Sequence, residues 1–154
     1  MLTAEEIGEI EHEAKNYPVR SAVTIDALQI VQRHRGWVSD EAIQDLANHL
    51  GVSKADLDSV ASFYNLIYRH RVGRHVIHLC DSVSCWVMGY RQVREELEKQ
   101  LGIDFGGTTA DSRFTFLPVV CLGCCDHAPA MLIDGDLHTD LSPGSIANTL
   151  ERYL

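Results

Sequence analysis

Four of the five cysteines in this 154-residue chain fall into two close pairs, Cys80 with Cys85 and Cys121 with Cys125, and 35 residues separate the pairs. Thiolate sulfur is a soft ligand, and two such pairs on separate loops can grip a soft metal centre at four points. The gaps are Cys-x4-Cys and Cys-x3-Cys. Structural zinc sites commonly use two Cys-x2-Cys knuckles, so these pairings favour an iron–sulfur centre over zinc, and place thiol redox chemistry third. The spacing leaves all three open.

The surroundings narrow the chemistry. Gly123, inside the second loop, would let backbone N–H groups approach the sulfurs. Ser82 and Ser84 lie between the first two ligands and are placed to hydrogen-bond to sulfur. His78 and His127 flank the pairs, but mixed histidine ligation is disfavoured, because His78 should sit within a strand and His127 on an exposed loop. Cys124 adjoins Cys125 and competes with it as a ligand; it is expected as a partly buried thiol outside the ligand set. Trp86, Met88 and Tyr90 are apolar enough to shield a centre from water, or simply to fill core. No Gly-x-Gly-x-x-Gly follows a strand, Gly106-Gly107 being an isolated loop pair, and no nucleophile–base–acid set is evident. We therefore expect no catalytic residue and no nucleotide site on this chain.

The elements that must position the thiols divide into two sets. Residues 1–71 read as a helical domain. Thr3-Ala4-Glu5-Glu6 forms a capping box for a helix with Ile7 and Ile10 on one face, running toward Asn16. A second helix near Ala22 to Arg35 should bury Ile25, Leu28 and Val31 and stop at Gly36. Ser39 caps a third, with Ile43, Leu46, Ala47 and Leu50 inward, and Ser53 a fourth, with Leu57, Val60, Ala61 and Tyr64. Residues 72–154 read as α/β. Val76 to Leu79 is a strand ending at Cys80, Tyr90 to Leu101 a helix, and Phe114 to Val120 a strand ending at Cys121. Ala130 to Ile133 and Leu137 to Thr139 flank an Asp134-Gly135-Asp136 turn, and Ser142-Pro143 opens a last helix toward Tyr153. Both pairs thus fall on loops at one end of a sheet. The fold class is α+β, an N-terminal helical bundle followed by a thioredoxin-like domain.

Charge excludes one class of function. The formal net charge is −9, with 7 basic and 11 acidic residues in 1–73 and 6 and 11 in 74–154. The helix-turn-helix-like segment Ser39 to Tyr64 offers a would-be reading helix with two acids, Asp56 and Asp58, against Lys54. Nucleic-acid binding is not expected. Apolar runs such as Phe116 to Leu122 fall far short of the roughly 20 residues needed to cross a bilayer, and the N-terminus lacks a signal pattern, so a cytoplasmic protein without membrane insertion is expected.

The run Cys80-Asp81-Ser82-Val83-Ser84-Cys85 and the run Leu117-Pro118-Val119-Val120-Cys121-Leu122-Gly123-Cys124-Cys125-Asp126 closely resemble the E-subunit family of bacterial NADH:quinone oxidoreductase, respiratory complex I. So do Gln32 to Val38, Val60-Ala61-Ser62-Phe63-Tyr64, Val72 to Ile77 and Thr108 to Asp111, in the same order. The resemblance implies a thioredoxin-like ferredoxin domain with one 2Fe-2S cluster held by Cys80, Cys85, Cys121 and Cys125. It implies a flavin-bearing, NADH-oxidising partner that carries FMN and NADH, further iron–sulfur subunits, and peripheral association with the inner membrane through the complex. Equivalent subunits of NAD-linked hydrogenases and formate dehydrogenases are the alternative, with a zinc-stabilised structural module behind them. Cys124 is not required by the family's pattern.

Overall fold

The computed structural model describes residues 1–153, and the chain divides into two compact units, Met1–Arg71 and Val72–Leu154. The first holds helices α1 (Ala4–Ala14), α2 (Thr24–Arg35), α3 (Asp40–Leu50) and α4 (Lys54–Phe63), with a 3-10 turn at Arg20–Val23. Their ends follow the local chemistry. The Ser39 hydroxyl accepts the Ala42 N–H at 3.2 Å and the Ser53 hydroxyl the Asp56 N–H at 3.0 Å, and Gly36 and Gly51 close α2 and α3 at φ 80° and 70°, where a side chain would be strained. Ile10, Leu28, Val31, Ile43, Leu46 and Leu57 form the core.

The inward face of α1 differs from its apolar pattern. Ile7 is on the exposed side, whereas Glu6 is fully buried. Burial of a carboxylate is tolerable because Arg35 meets it with two hydrogen bonds, Nε to Oε1 at 2.6 Å and a terminal nitrogen to Oε2 at 2.7 Å. Glu6 also closes the capping box, its Oε2 accepting the Thr3 N–H at 2.7 Å. Ile25 is half-buried and Tyr64 lies exposed beyond the end of α4. After α4 the chain is tied back by Gln32, which donates to the Leu66 carbonyl at 2.8 Å and accepts from the Tyr68 N–H at 2.6 Å.

The second unit runs β1 (His75–Cys80), α5 (Val83–Val87), α6 (Tyr90–Leu101), β2 (Phe114–Val119), a 3-10 turn (Cys125–His127), β3 (Met131–Ile133), β4 (Asp136–His138) and α7 (Pro143–Glu151). The sheet order is β2-β1-β3-β4. β1 lies parallel to β2, with His75 opposite Phe114 and Cys80 opposite Val119, and antiparallel to β3. A central strand flanked on both sides must be apolar throughout, and Val76 to Cys80 are all buried, His78 included. Ile77, Leu79, Phe114, Phe116, Met131 and Ile133 form the core with Val93 and Leu97 of α6 and Ile146 of α7.

Side-chain anchors fix the sheet's ends. Gly73 sits where an added Cβ would come within 2.9 Å of the Phe114 carbonyl carbon, and its N–H donates to Thr115 Oγ1 at 2.7 Å. Asp134, in the hairpin turn at φ 58°, accepts the Val76 N–H at 2.9 Å and meets His75 Nδ1 at 2.6 Å. The outer edge of β2 is closed by the preceding loop: Gly106 N–H donates to the Phe116 carbonyl, Phe116 N–H to the Gly107 carbonyl, and Thr108 bridges Thr115. β2 ends at Val119, one residue earlier than its apolar run, β4 spans Asp136–His138, and α7 ends at Glu151 before Tyr153. No helix among the described residues is long and apolar enough to cross a membrane.

Candidate metal centre

Cys80 is the last residue of β1, and Cys85 lies not on an open loop but in the five-residue helix α5. That helix follows from the tight return of the chain: Trp86 N–H donates to the Ser82 carbonyl and Met88 N–H to the Ser84 carbonyl, each at 3.0 Å. A segment so short carries no periodicity, so the sequence does not announce it. The turn folds Cys85 back onto Cys80, and both side chains are almost fully buried, at 2% and 3% exposure.

The second pair has a different setting. Cys121 follows the end of β2 and Cys125 opens the 3-10 turn, and both are exposed, while Cys124 between them is partly buried. Gly123, at φ 79°, donates its N–H to Cys121 Sγ at 3.3 Å. The His127 imidazole meets the Asp140 carboxylate at 3.0 Å, and the Asp140 N–H donates to the His127 carbonyl at 2.8 Å. These two bonds pin the turn that follows Cys125 to the segment before α7.

The two loops converge on Cys80. Burial opposes ionisation of its thiol, but the Ser82 hydroxyl and amide, the Leu122 amide from the second loop and the Cys85 thiol together hold it below its ordinary value. Cys85 is pushed up to about 11 by burial and then by the neighbouring Cys80, against the help of the Ala130 amide. Of the pair, ionisation is thus favoured at Cys80 and opposed at Cys85. Cys124 is also raised, by burial, and its sulfur lies within electrostatic reach of Cys80, Cys125 and Asp126.

The donor set suits a cluster with two irons. Such a centre takes thiolates in pairs and is tuned by amide N–H groups aimed at sulfur. Two pairs are present, and Leu122 and Gly123 supply such amides to Cys80 and Cys121. Among the described residues no three or more His, Cys, Asp or Glu side chains gather closely enough to hold a metal ion, so the two thiol pairs are not drawn round one point. Ser82 contacts sulfur, at 3.5 Å from Cys80 Sγ. The Leu122 and Ala130 amides carry no side-chain signature and were not legible in the sequence. His78 is buried in the strand and His127 exposed, as their positions suggested.

The apolar residues near the thiols do not all turn inward. Tyr90 is buried, but Trp86 and Met88 are 51% and 60% exposed. Trp86 stacks on Tyr90 at 5.1 Å, with the Arg91 guanidinium 5.8 Å from its ring. Val83, Val87 and Val120 are also exposed. Val83, Ser84, Val87 and Met88 line a shallow hollow of about 340 Å³ that reaches Cys125. These side chains form a rim round the thiols rather than a lid over them.

Residues 10–154 match the family described as thioredoxin-like 2Fe-2S ferredoxin. The chain is 49% identical over 154 residues to the E subunit of the NADH-quinone oxidoreductase of Pseudomonas aeruginosa, covering 100% of this chain and 93% of that protein. It is 51% identical over 152 residues to the E subunit of the Escherichia coli enzyme, covering 99% and 92%. Among solved structures, an NAD+-reducing NiFe-hydrogenase in the air-oxidised state superposes with a TM-score of 0.69 at 26% identity. That match covers 82% of this chain and 22% of the hydrogenase chain.

Proposed function

Because this chain belongs to the thioredoxin-like 2Fe-2S ferredoxin family, we propose that it is the electron-transfer subunit of an NADH:quinone oxidoreductase, with one 2Fe-2S cluster held by Cys80, Cys85, Cys121 and Cys125. The observation that supports the ligand assignment is the hollow lined by Val83, Ser84, Val87, Met88 and Cys125, which sets the second loop beside the short helix that holds Cys85. When bound, the cluster supplies one-electron chemistry. The chain's own residues hold it and set its surroundings. Cys80 and Cys85 anchor one side from the sheet and α5; Cys121 and Cys125 close the other; the Ser82 hydroxyl and the Leu122 and Gly123 amides stabilise negative sulfur.

Hydride chemistry requires a nucleotide site, and the sequence carries no dinucleotide fingerprint. FMN and NADH accordingly belong on a partner subunit that exchanges electrons with this one, and the active site is complete only in the complex. The exposed rim of Val83, Trp86, Val87, Met88 and Val120 beside the thiols suits that partner, since a covering protein surface would exclude water there. Further iron–sulfur subunits then carry electrons onward, and the chain associates with the membrane through the complex. The diaphorase part of an NAD-linked hydrogenase is the second reading, favoured by the superposition with such an enzyme.

Anaerobic purification separates these readings from a zinc module. We expect two irons and two acid-labile sulfides per chain and an electron paramagnetic resonance signal on reduction. Cys80→Ser, Cys85→Ser and Cys121→Ser should each lose most of that iron, whereas Cys124→Ser should keep it. A colourless protein with one zinc per chain would refute the proposal, and the chains that copurify decide between the two complexes.

A further inference from the structure

Cys121-Leu122-Gly123-Cys124 is itself a Cys-x-x-Cys, a spacing that the pairing of Cys121 with Cys125 passes over. Cys-x-x-Cys loops chelate metal because two thiols two residues apart can reach one ion, while a backbone N–H inside the loop bonds the first sulfur. That bond is formed here, from the Gly123 N–H to Cys121 Sγ at 3.3 Å. Cys124 is also the least exposed of the three thiols on its loop.

We propose that Cys124 is an alternate ligand that takes the place of Cys125, so that Cys121 and Cys124 complete the four-thiolate set. The proposal rests on the cluster assignment made above. Two features let the loop make the exchange. Gly123 turns in the left-handed region at φ 79°, and without a Cβ it tolerates changes of backbone angle that other residues resist. Cys124 and Cys125 also belong to one tight turn, closed by the His127 N–H on the Cys124 carbonyl at 3.0 Å. Their α-carbons are about 3.8 Å apart, so the exchange moves the backbone by no more than one residue. In the exchange the bond from Cys125 sulfur to iron breaks and one from Cys124 sulfur forms. The Cys124 proton passes to solvent, the freed Cys125 thiolate takes one up, and no electron is gained or lost.

The test uses the full chain, reconstituted anaerobically with iron and sulfide, in four forms: wild type, Cys124→Ser, Cys125→Ser and the double variant. Iron, sulfide and the paramagnetic signal are measured, and free thiols are mapped by alkylation and mass spectrometry. Wild type is expected to hold the cluster with Cys124 open to alkylation. Cys125→Ser is expected to keep at least half the wild-type iron, with a shifted signal and with Cys124 now protected. The double variant should lose at least fivefold of that iron. If Cys125→Ser binds no more iron than the double variant, or keeps its cluster while Cys124 is still alkylated, the exchange does not occur. Circular dichroism of the apo-proteins distinguishes a missing ligand from a misfolded chain, and a wild type without iron and sulfide would overturn the cluster assignment itself.

Discussion

The buried pair of Glu6 and Arg35 should make the helical unit sensitive to acid in a definite window. Arg35 hydrogen bonds, opposed by burial and assisted by the Thr3 amide, lower the Glu6 carboxyl from 4.5 to about 2. A group depressed on folding stabilises the fold above its unfolded value and loses that contribution as pH falls through the folded one. At about 1.36 kcal/mol per pH unit, the gap corresponds to ~3 kcal/mol, fully present above about pH 5 and draining away toward pH 2. The side chain is fully buried, so solvent screening removes little of it. Glu6→Gln deletes the charge, keeps the shape and leaves Arg35 with a neutral partner. Hydrogen exchange of α1 and α2 amides in the full chain is the assay, because it reads this unit alone. At pH 7 the variant should exchange roughly a hundredfold faster than wild type, the factor that ~3 kcal/mol implies. After correction for intrinsic rates, the difference should shrink to about tenfold at pH 3 and to about twofold at pH 2. A pH 7 difference below about threefold, or one that persists unchanged in acid, would show that the pair does not stabilise the fold in this way.

Three further outcomes are expected. An all-thiolate 2Fe-2S centre should titrate on the order of −400 to −200 mV; a potential well above zero in protein-film voltammetry would mean histidine ligation. Gly73→Ala forces a Cβ to 2.9 Å from the Phe114 carbonyl carbon and should cost ~1–3 kcal/mol, seen as a lower thermal midpoint of the α/β unit, whereas an unchanged midpoint would mean the approach relaxes freely. Val87→Asp, at a side chain 79% exposed, should leave iron content and potential intact while slowing electron exchange with the proposed partner subunit at least tenfold; unaltered exchange would place the docking surface elsewhere.

Much of this architecture was legible because caps and stops are local. Ser39, Ser53, Gly36 and Gly51 act through their own turns, so their positions alone delimit helices, and the continuous burial of β1 is readable as an apolar run. What was not legible depends on residues distant in sequence. Glu6 turns inward only because Arg35 arrives from another helix, displacing Ile7 to the exposed side. Helix α5 is too short to show a period, and Trp86 and Met88 look like core until the fold leaves them at its surface. At the thiols, residue types and gaps identified the pairs, but the amides of Leu122 and Ala130 belong to the backbone and take effect only after β1 and the second loop meet.

The closed edge of β2 governs how this unit can associate. Hydrogen bonds from the 106–109 loop occupy the outward backbone groups of Phe114 and Phe116, and Pro118, farther along the strand, has no N–H to offer. A neighbouring chain therefore cannot extend the sheet on that side by adding a strand of its own. On the other side β4 is only three residues long, too brief a template for stable pairing. Recognition is left to side chains, which discriminate among partners far better than a row of backbone amides, and a subunit of a larger electron-transfer complex is thereby guarded against sticking to copies of itself.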